Sequence, residues 1–450
     1  MSIFDKIIAQ SPWLIEPEEI NRDIHIEKLK LFPFKFINET FLEYNFKDGV
    51  YIVTGPRQVG KTTLLKVFIQ KEISPVNNTN FLYFNCDLLD AKKEIVEIVE
   101  VYFKKIANRK KRIYVILDEI TSVKDSFIAI KFLVDSGFEK NITYILSGSN
   151  TIGIKKTGEY LPGRRGKGID FVISPLGFNE YLSLVHPNTD LSFSKEKAEI
   201  RRAELEKKIP LQKSLENYLM HGGIPRVINE FEMNGCIDVD IFEIYRSWIA
   251  SEIAKSEKKE HIVKLIFQRC INSLSSDTSY NAFAQDAGIG SHNTVYDYLD
   301  FLERAHILCQ IFNRDIYNQK INYRKNKKIF FSDPFVYSVI DFWLFTKQKQ
   351  DFKYLKNPIE KSRHIENLVF LKLKSQFKDV YFYKDKNEID FITEGNAFEV
   401  KCQNRIINDD LKTIKTFKGN KFIISKKDLA YVKEYDLFIV PIELFLLLDL

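Results

Sequence analysis

Gly55-Pro-Arg-Gln-Val-Gly60-Lys61-Thr62-Thr63 is the stretch on which the reading of this chain turns. It fits the pattern G-x-x-x-x-G-K-[ST], and its flanks are the ones that pattern needs. Before it lies the short β-branched run Gly49-Val-Tyr-Ile-Val-Thr54; after it, Thr63-Leu-Leu-Lys-Val-Phe-Ile69 is apolar at helical spacing. Strand, glycine loop and helix together make a phosphate cradle. Glycines let the loop curl until its N–H groups converge, and the following helix aims its positive dipole end at the same point. Gly55, Pro56, Arg57, Gln58, Val59, Gly60, Lys61, Thr62 and Thr63 are therefore the expected nucleotide-binding residues. Lys61 is expected to reach the β/γ-phosphates, and Thr62 to place its hydroxyl on Mg²⁺.

A magnesium shell needs a second side, and Arg112-Ile-Tyr-Val-Ile-Leu-Asp118-Glu119 has the right form: a buried apolar strand ending in adjacent acids. Asp118 is the expected metal ligand, and Glu119 the residue that orients or deprotonates the attacking water. The next apolar run, Ile142-Thr-Tyr-Ile-Leu146, leads into Ser147-Gly-Ser149-Asn150, which offers polar groups near a γ-phosphate. Ser147 is the sensing candidate there, a turn-forming role being the alternative.

Working outward, short apolar strands at Tyr51 to Val53, Phe81 to Phe84, Ile113 to Leu117, Thr143 to Leu146 and Phe171 to Ile173 alternate with helical stretches. That alternation predicts an α/β fold with a parallel sheet and the loop at a strand's carboxyl end. The 450 residues carry 67 Lys and Arg against 61 Asp and Glu, a net charge of +6 that permits nucleic-acid contact without arguing for it. Five scattered cysteines, never in C-x-x-C spacing, suit a reducing cytoplasm and argue against zinc. No apolar run approaches the ~18 residues of a membrane span, so no membrane partner is expected.

The chain resembles the prokaryotic predicted ATPases of AAA type (the AAA+ superfamily) that carry a helical lid, a winged-helix segment and a C-terminal restriction-nuclease-like module. The resemblance rests on the loop, on Leu117-Asp-Glu-Ile120, and on Leu146-Ser-Gly-Ser149 with Leu161-Pro-Gly-Arg164. It rests further on Tyr218-Leu-Met-His-Gly-Gly-Ile-Pro225 and on Glu388-Ile-Asp-Phe391 with Glu399-Val-Lys401. It implies a helical lead-in over residues 1–45, a P-loop core over 46–190, a lid over 191–255, a winged helix over 256–345 and a PD-(D/E)XK nuclease-like domain over 346–450. It also implies ATP and Mg²⁺ as cofactors, a Gly-Gly-x-Pro turn ending at Pro225 that packs on adenine, and an arginine, Arg164, that reaches a neighbouring subunit's γ-phosphate. A homo-oligomer and DNA are the corresponding candidate partners.

Two later segments have chemistry of their own. From Tyr280 the order is helix, turn, helix and two strands, with Ser291 an N-cap and Val295, Leu299 and Leu302 a buried stripe. Asp297 and Asp300 on the second helix oppose phosphate, and residues 280–330 hold seven Lys and Arg against five acids, so a domain-organising role is favoured over base reading. The wing-like Arg324-Lys325-Asn-Lys327-Lys328 remains a candidate nonspecific grip. Further on, Glu366 precedes Glu388-Ile-Asp390 and Glu399-Val-Lys401. Period-two alternation puts Glu399 and Lys401 on one strand face. Asp390, Glu399 and Glu366 are then expected metal ligands, and Lys401 the residue that positions the attacking water, with Asp390, Glu399 and Lys401 catalytic. The leading expectation is an ATPase whose nucleotide state governs nucleic-acid contact or cleavage. The alternative is a slow nucleotide-dependent switch that recruits a protein, its nuclease-like module silent.

Overall fold

The computed structural model describes residues 1–137, 140–148, 161, 163–347 and 350–450. They divide into two compact units, Met1–Ser174 with Arg304–His306, and Pro175–Glu303 with Ile307–Leu450.

Among the described residues the sheet of the first unit has five strands: β1 (Gly49–Thr54), β2 (Phe81–Asn85), β3 (Ile113–Asp118), β4 (Ile142–Gly148) and β5 (Asp170–Val172). Their order is β2-β3-β4-β1-β5, every pairing parallel. Continuous Val, Ile, Leu, Phe and Tyr runs give β1 to β4 two apolar faces, as a strand covered by helices on both sides requires. The helices Lys61–Glu72, Lys92–Lys105 and Ser126–Asp135 supply the cover. Parallel register brings Thr54, Asp118 and Ser147 to the same carboxyl edge of the sheet. That edge is where doubly wound sheets bind ligands.

The lead-in is a working part of this unit. Ile7, Trp13, Leu14, Ile20 and Phe41 are buried in its core, and each large apolar side chain so buried contributes roughly 2–3 kcal/mol. It also covers the edge strand β2. The Trp13 indole donates to the Phe81 carbonyl at 2.8 Å, and the Ser11 hydroxyl donates to the Tyr83 carbonyl at 2.7 Å while accepting from the Tyr83 amide at 2.9 Å. Gln10 accepts from the Asn85 amide at 2.7 Å.

The second unit opens with helices, among them Leu211–His221, Pro225–Asn234, Val239–Lys255 and Glu260–Asn272. Tyr280–Asp286 and His292–Arg304 follow, and then the antiparallel pair β7 (Leu308–Arg314) and β8 (Ile321–Phe331). Ser291 accepts from the Asn293 amide at 3.2 Å, and Val295, Leu299 and Leu302 are buried. The helix Pro334–Leu344 is apolar almost all round and lies inside, packed on Leu211–His221, Val239–Lys255 and Glu260–Asn272.

Beyond it come the helix Pro358–Gln376 and the strands β9 (Tyr381–Lys384), β10 (Glu388–Thr393), β11 (Asn396–Val400), β12 (Asn420–Ser425), β13 (Ala430–Val432) and β14 (Leu437–Pro441). With the short β6 (Asp277–Thr278) they join one sheet of order β13-β14-β12-β11-β10-β9-β7-β8-β6, nine strands among the described residues. The regions read from sequence as 256–345 and 346–450 therefore share a sheet, β7 pairing with β9 through Asn313 and Phe382. Among the described residues no helix is long and apolar enough to cross a membrane.

Candidate functional site

The glycine loop leaves β1 and enters the helix Lys61–Glu72 through Gly60, whose φ of +98° is one that a side chain would strain. The helix start has no side-chain cap, so its first N–H groups face the loop, as an anion site requires. Gln58 also holds a left-handed φ of +63°, and Val59 is buried beneath the turn. Lys61 is 5 % exposed and donates its ammonium to the carbonyls of Gly55 and Pro56 at 2.9 and 2.8 Å.

Asp118 is fully buried at the end of β3. The Thr62 hydroxyl donates to its Oδ2 at 2.7 Å, and the Tyr83 phenol donates to the same oxygen at 2.8 Å. Its Oδ1 accepts from the Ser147 hydroxyl and from the Glu119 amide, the latter at 3.2 Å. Each side-chain donor is a neutral hydroxyl. Hydroxyls satisfy the lone pairs without cancelling the charge, so the carboxylate keeps its attraction for a cation at the helix start. Ser147 thus acts on Asp118, and it also accepts from the Glu119 amide at 3.1 Å.

Glu119 follows with φ of +50°, a left-handed conformation that a non-glycine residue adopts at a cost of about 1–3 kcal/mol. Burial raises its carboxyl above the ordinary range; Lys61 and Arg57 oppose that rise, and Asp118 adds to it. Behind the loop helix stands an arrangement the sequence did not announce. Lys66, 4 % exposed, pairs with Asp23 at 3.0 Å and lies 3.5 Å from the centroid of the Tyr83 ring. Burial lowers its pKa, and Asp23 works against that. The lead-in residue Asp23 therefore touches the helix that carries Lys61, one ring away from Asp118.

The other expected residues of this unit fare differently. Arg164 is paired within its own unit, its Nε 2.5 Å from Asp135, and Arg165 pairs with Asp170 at 2.5 Å. Ser149, Asn150, Tyr160 and Pro162 lie outside the described residues.

In the second unit, Pro225 opens the helix Pro225–Asn234. The two glycines before it meet a demand of their own unit. Gly222 has φ of +64°, and a Cβ there would stand 1.9 Å from Asp333 Oδ1; one on Gly223 would stand 2.0 Å from the Leu176 carbonyl. Asp333 accepts from the amides of Gly223 and Phe335, each at 2.7 Å, and burial pushes its carboxyl up to about 6.

The expected second metal site meets a different occupant. Glu366, Asp390 and Glu399 do gather, Asp390 acting on both of the others, but the cation among them is a lysine from β8. Lys328 Nζ lies 3.0 Å from Glu366 Oε1, 2.9 Å from Glu388 Oε1 and 3.1 Å from Asp390 Oδ1. Its side chain is 2 % exposed. Burial alone would lower the lysine's pKa, yet the three carboxylates hold it well above its ordinary value. Burial and Asp390 raise Glu366, since one ammonium cannot neutralise three acids.

Lys401, the expected water-positioning residue, pairs with Glu399 Oε1 at 2.8 Å. Among the described residues no group of three or more His, Cys, Asp or Glu side chains is disposed to hold a metal ion. The wing is also depleted: Lys327 is buried with its ammonium 3.8 Å from the Tyr280 ring centroid, which leaves only Arg324 and Lys325 of its basic residues exposed.

Sequence reasoning read Lys328 as part of the basic wing, not as the partner of Glu366, Glu388 and Asp390, and it did not find Tyr83 or Lys66. The one signal for Lys328 was its place at the head of Ile329-Phe-Phe331, where a strand turning fully apolar takes its last polar side chain inward.

Residues 47–182 match the family described as AAA domain. Residues 212–344 and 361–445 match two domains of unknown function, DUF8612 and DUF4143. No curated protein matches the chain. Similar solved structures include a Walker-type ATPase of Pyrococcus abyssi (14 % identity, 72 % of this chain and 95 % of that one, TM-score 0.41). Others are the Aeropyrum pernix ORC2 protein with ADPNP and ADP (13 %, 73 % and 94 %, 0.37) and Thermotoga maritima RuvB (16 %, 69 % and 96 %, 0.29). At these identities and scores none of them bears on mechanism. The glycine loop, the strand-end carboxylate and the parallel sheet agree with the family match, and residues 47–182 have the motifs and sheet of an AAA domain.

Proposed function

We propose that the first unit binds ATP with Mg²⁺ and hydrolyses it. The observation that carries this reading is the 2.7 Å hydrogen bond from Thr62 to the buried Asp118, beside an uncapped helix start and a buried lysine. The donor set fits the ion: a hydroxyl and a carboxylate, both hard oxygens, with no ion pair to Asp118 among the described residues. Thr62 and Asp118 would hold Mg²⁺, which when bound neutralises charge on the phosphate oxygens. Lys61 exchanges its loop carbonyls for phosphate oxygens. Glu119, its carboxyl raised by burial, orients the attacking water and takes its proton. Ser147 and Tyr83 hold Asp118 in place. Arg164 acting in a homo-oligomer belongs to the same reading, and Arg164 would first have to leave Asp135.

Lys61→Ala tests this reading through nucleotide binding, which calorimetry in magnesium buffer should find abolished. Glu119→Gln should bind ATP and turn over at least about 10²-fold more slowly. Unchanged turnover in the second variant removes Glu119 from its role, and ATP uptake by the first removes the loop.

In the wider reading, nucleotide state governs what the second unit contacts, with DNA as a partner. Stimulation of hydrolysis by DNA, absent in a protein lacking the Arg324 and Lys325 charges, is the corresponding test. A second reading, a nucleotide-dependent switch that recruits a protein while its nuclease-like module stays silent, is favoured by the burial of Lys327 and by the ion pairs of Lys328.

A further inference from the structure

We propose that Lys328 is the resident cation of the acid cage in the second unit, and that this cage therefore takes no divalent metal and cuts no phosphodiester. The inference is independent of ATP hydrolysis in the first unit.

Three observations carry it. An ammonium has three donors and no acceptor, and Lys328 has three carboxylate partners, Glu366, Glu388 and Asp390, at 3.0, 2.9 and 3.1 Å. The partners match its hydrogens one for one. Asp390 is used at both ends, since its Oδ2 accepts the Val400 amide at 2.9 Å. Closed around the ammonium, the acids stand about 3 Å from its nitrogen, whereas magnesium takes its oxygens at about 2.0–2.1 Å, so no divalent ion fits while Lys328 is in place.

Nor can the lysine swing aside. Its backbone is paired on both flanks, with Ile311 of β7 and with Asp277 of β6, so its Cα is fixed in the interior of the sheet. The rings of Phe382 and Phe391 flank its ammonium, their centroids 5.7 and 5.9 Å from Nζ. The fourth acid reports what the cage lacks. Glu399 is 8 % exposed; one oxygen is held by Lys401, while Oε2 has no hydrogen-bond partner, as an acid left over from a cation site would be.

The test is Mn²⁺ uptake by the full chain without nucleotide, read by the loss of free-ion signal in electron paramagnetic resonance. Omitting nucleotide leaves out the Thr62–Asp118 site, which takes metal together with a triphosphate. Wild type and Asp390→Asn should give the same titration; an ion held by wild type and lost in Asp390→Asn overturns the proposal. Lys328→Ala should gain one Mn²⁺, lost again when Asp390→Asn is added. Its thermal midpoint should lie below wild type in chelator and recover when Mn²⁺ is supplied. A folded Lys328→Ala that gains no ion also overturns the proposal, because the lysine would then not stand where a metal can. Should that variant fail to fold, the wild-type comparison remains decisive. As a further arm, wild type in Mn²⁺ should leave supercoiled, linear, single-stranded and branched DNA intact; cutting that Asp390→Asn abolishes counts against it.

Discussion

Asp118 and Asp390 are both buried or nearly buried carboxylates on β-strands, each reached by hydrogen-bond donors from several elements, and they end up with opposite electrostatic fates. Around Asp118 the side-chain donors are hydroxyls of Thr62, Tyr83 and Ser147. Around Asp390 the principal donor is the Lys328 ammonium. Hydroxyls orient a carboxylate and leave its charge whole; an ammonium orients it and offsets part of that charge. The two acids therefore differ in the charge of the donors around them, which acid spacing alone does not reveal.

Asp118→Asn attacks the comparison at its strongest point. Removing the charge while keeping the shape should lower ATP turnover by about 10²-fold or more, measured at saturating magnesium; near-wild-type turnover would mean the hydroxyl-held acid does no more than Asp390. Next in size is Lys328→Ala, which strands three acids in the interior. Breaking a buried pair from one side costs about 3–5 kcal/mol, so denaturant unfolding should show a loss of that order, and Lys328→Met with Asp390→Asn and Glu366→Gln should recover part of it.

The third prediction concerns pH. His221 and His364 are buried and pushed down to about 3, His364 between the rings of Tyr337 and Tyr354. Their folded pKa values lie below the unfolded 6.5, so the unfolded chain binds more protons between those limits and stability falls as pH falls from about 6.5 towards 3. Each contributes a slope of at most about 1.4 kcal/mol per pH unit. Asp333, raised to about 6, works the other way, its contribution being lost as pH rises through 6. Glu366 and Glu399, raised by burial and by Asp390, oppose the histidines as Asp333 does, so the readout is the difference between variants: relative to wild type, His364→Phe should lose less stability as pH falls below about 6.5. The smallest effect is Tyr83→Phe: one hydroxyl of several is removed from Asp118, for about 1 kcal/mol of stability and a modest rise in the magnesium needed for turnover.

The strands and the loop of the first unit were legible because their signals are local. Gly49 to Thr54 is apolar and β-branched, the glycines sit at fixed spacing, and Asp118 ends an apolar run; each window of about ten residues contains its own evidence. The second site was half legible. Glu366, Asp390 and Glu399 do come together, and period two does put Glu399 and Lys401 on one face, as their 2.8 Å pairing shows. The missing half, Lys328, arrives from a strand 38 residues before the nearest of its acids, through a sheet pairing between β7 and β9 that no local pattern encodes. Lys66 escaped notice for the same reason, its partner Asp23 coming from a lead-in read only as helical.

The side chains laid along β2 have a bearing on assembly. An outermost strand normally offers a row of free amides and carbonyls to any passing strand, and that row is a route to uncontrolled stacking of copies. Here Gln10, Ser11 and Trp13 plug positions along the row with single hydrogen bonds, offering no continuous strand for another molecule to extend. Chains deprived of residues 1–14 should accordingly grow into β-rich aggregates from this border, so the opening segment protects the solubility of the domain as well as completing its core.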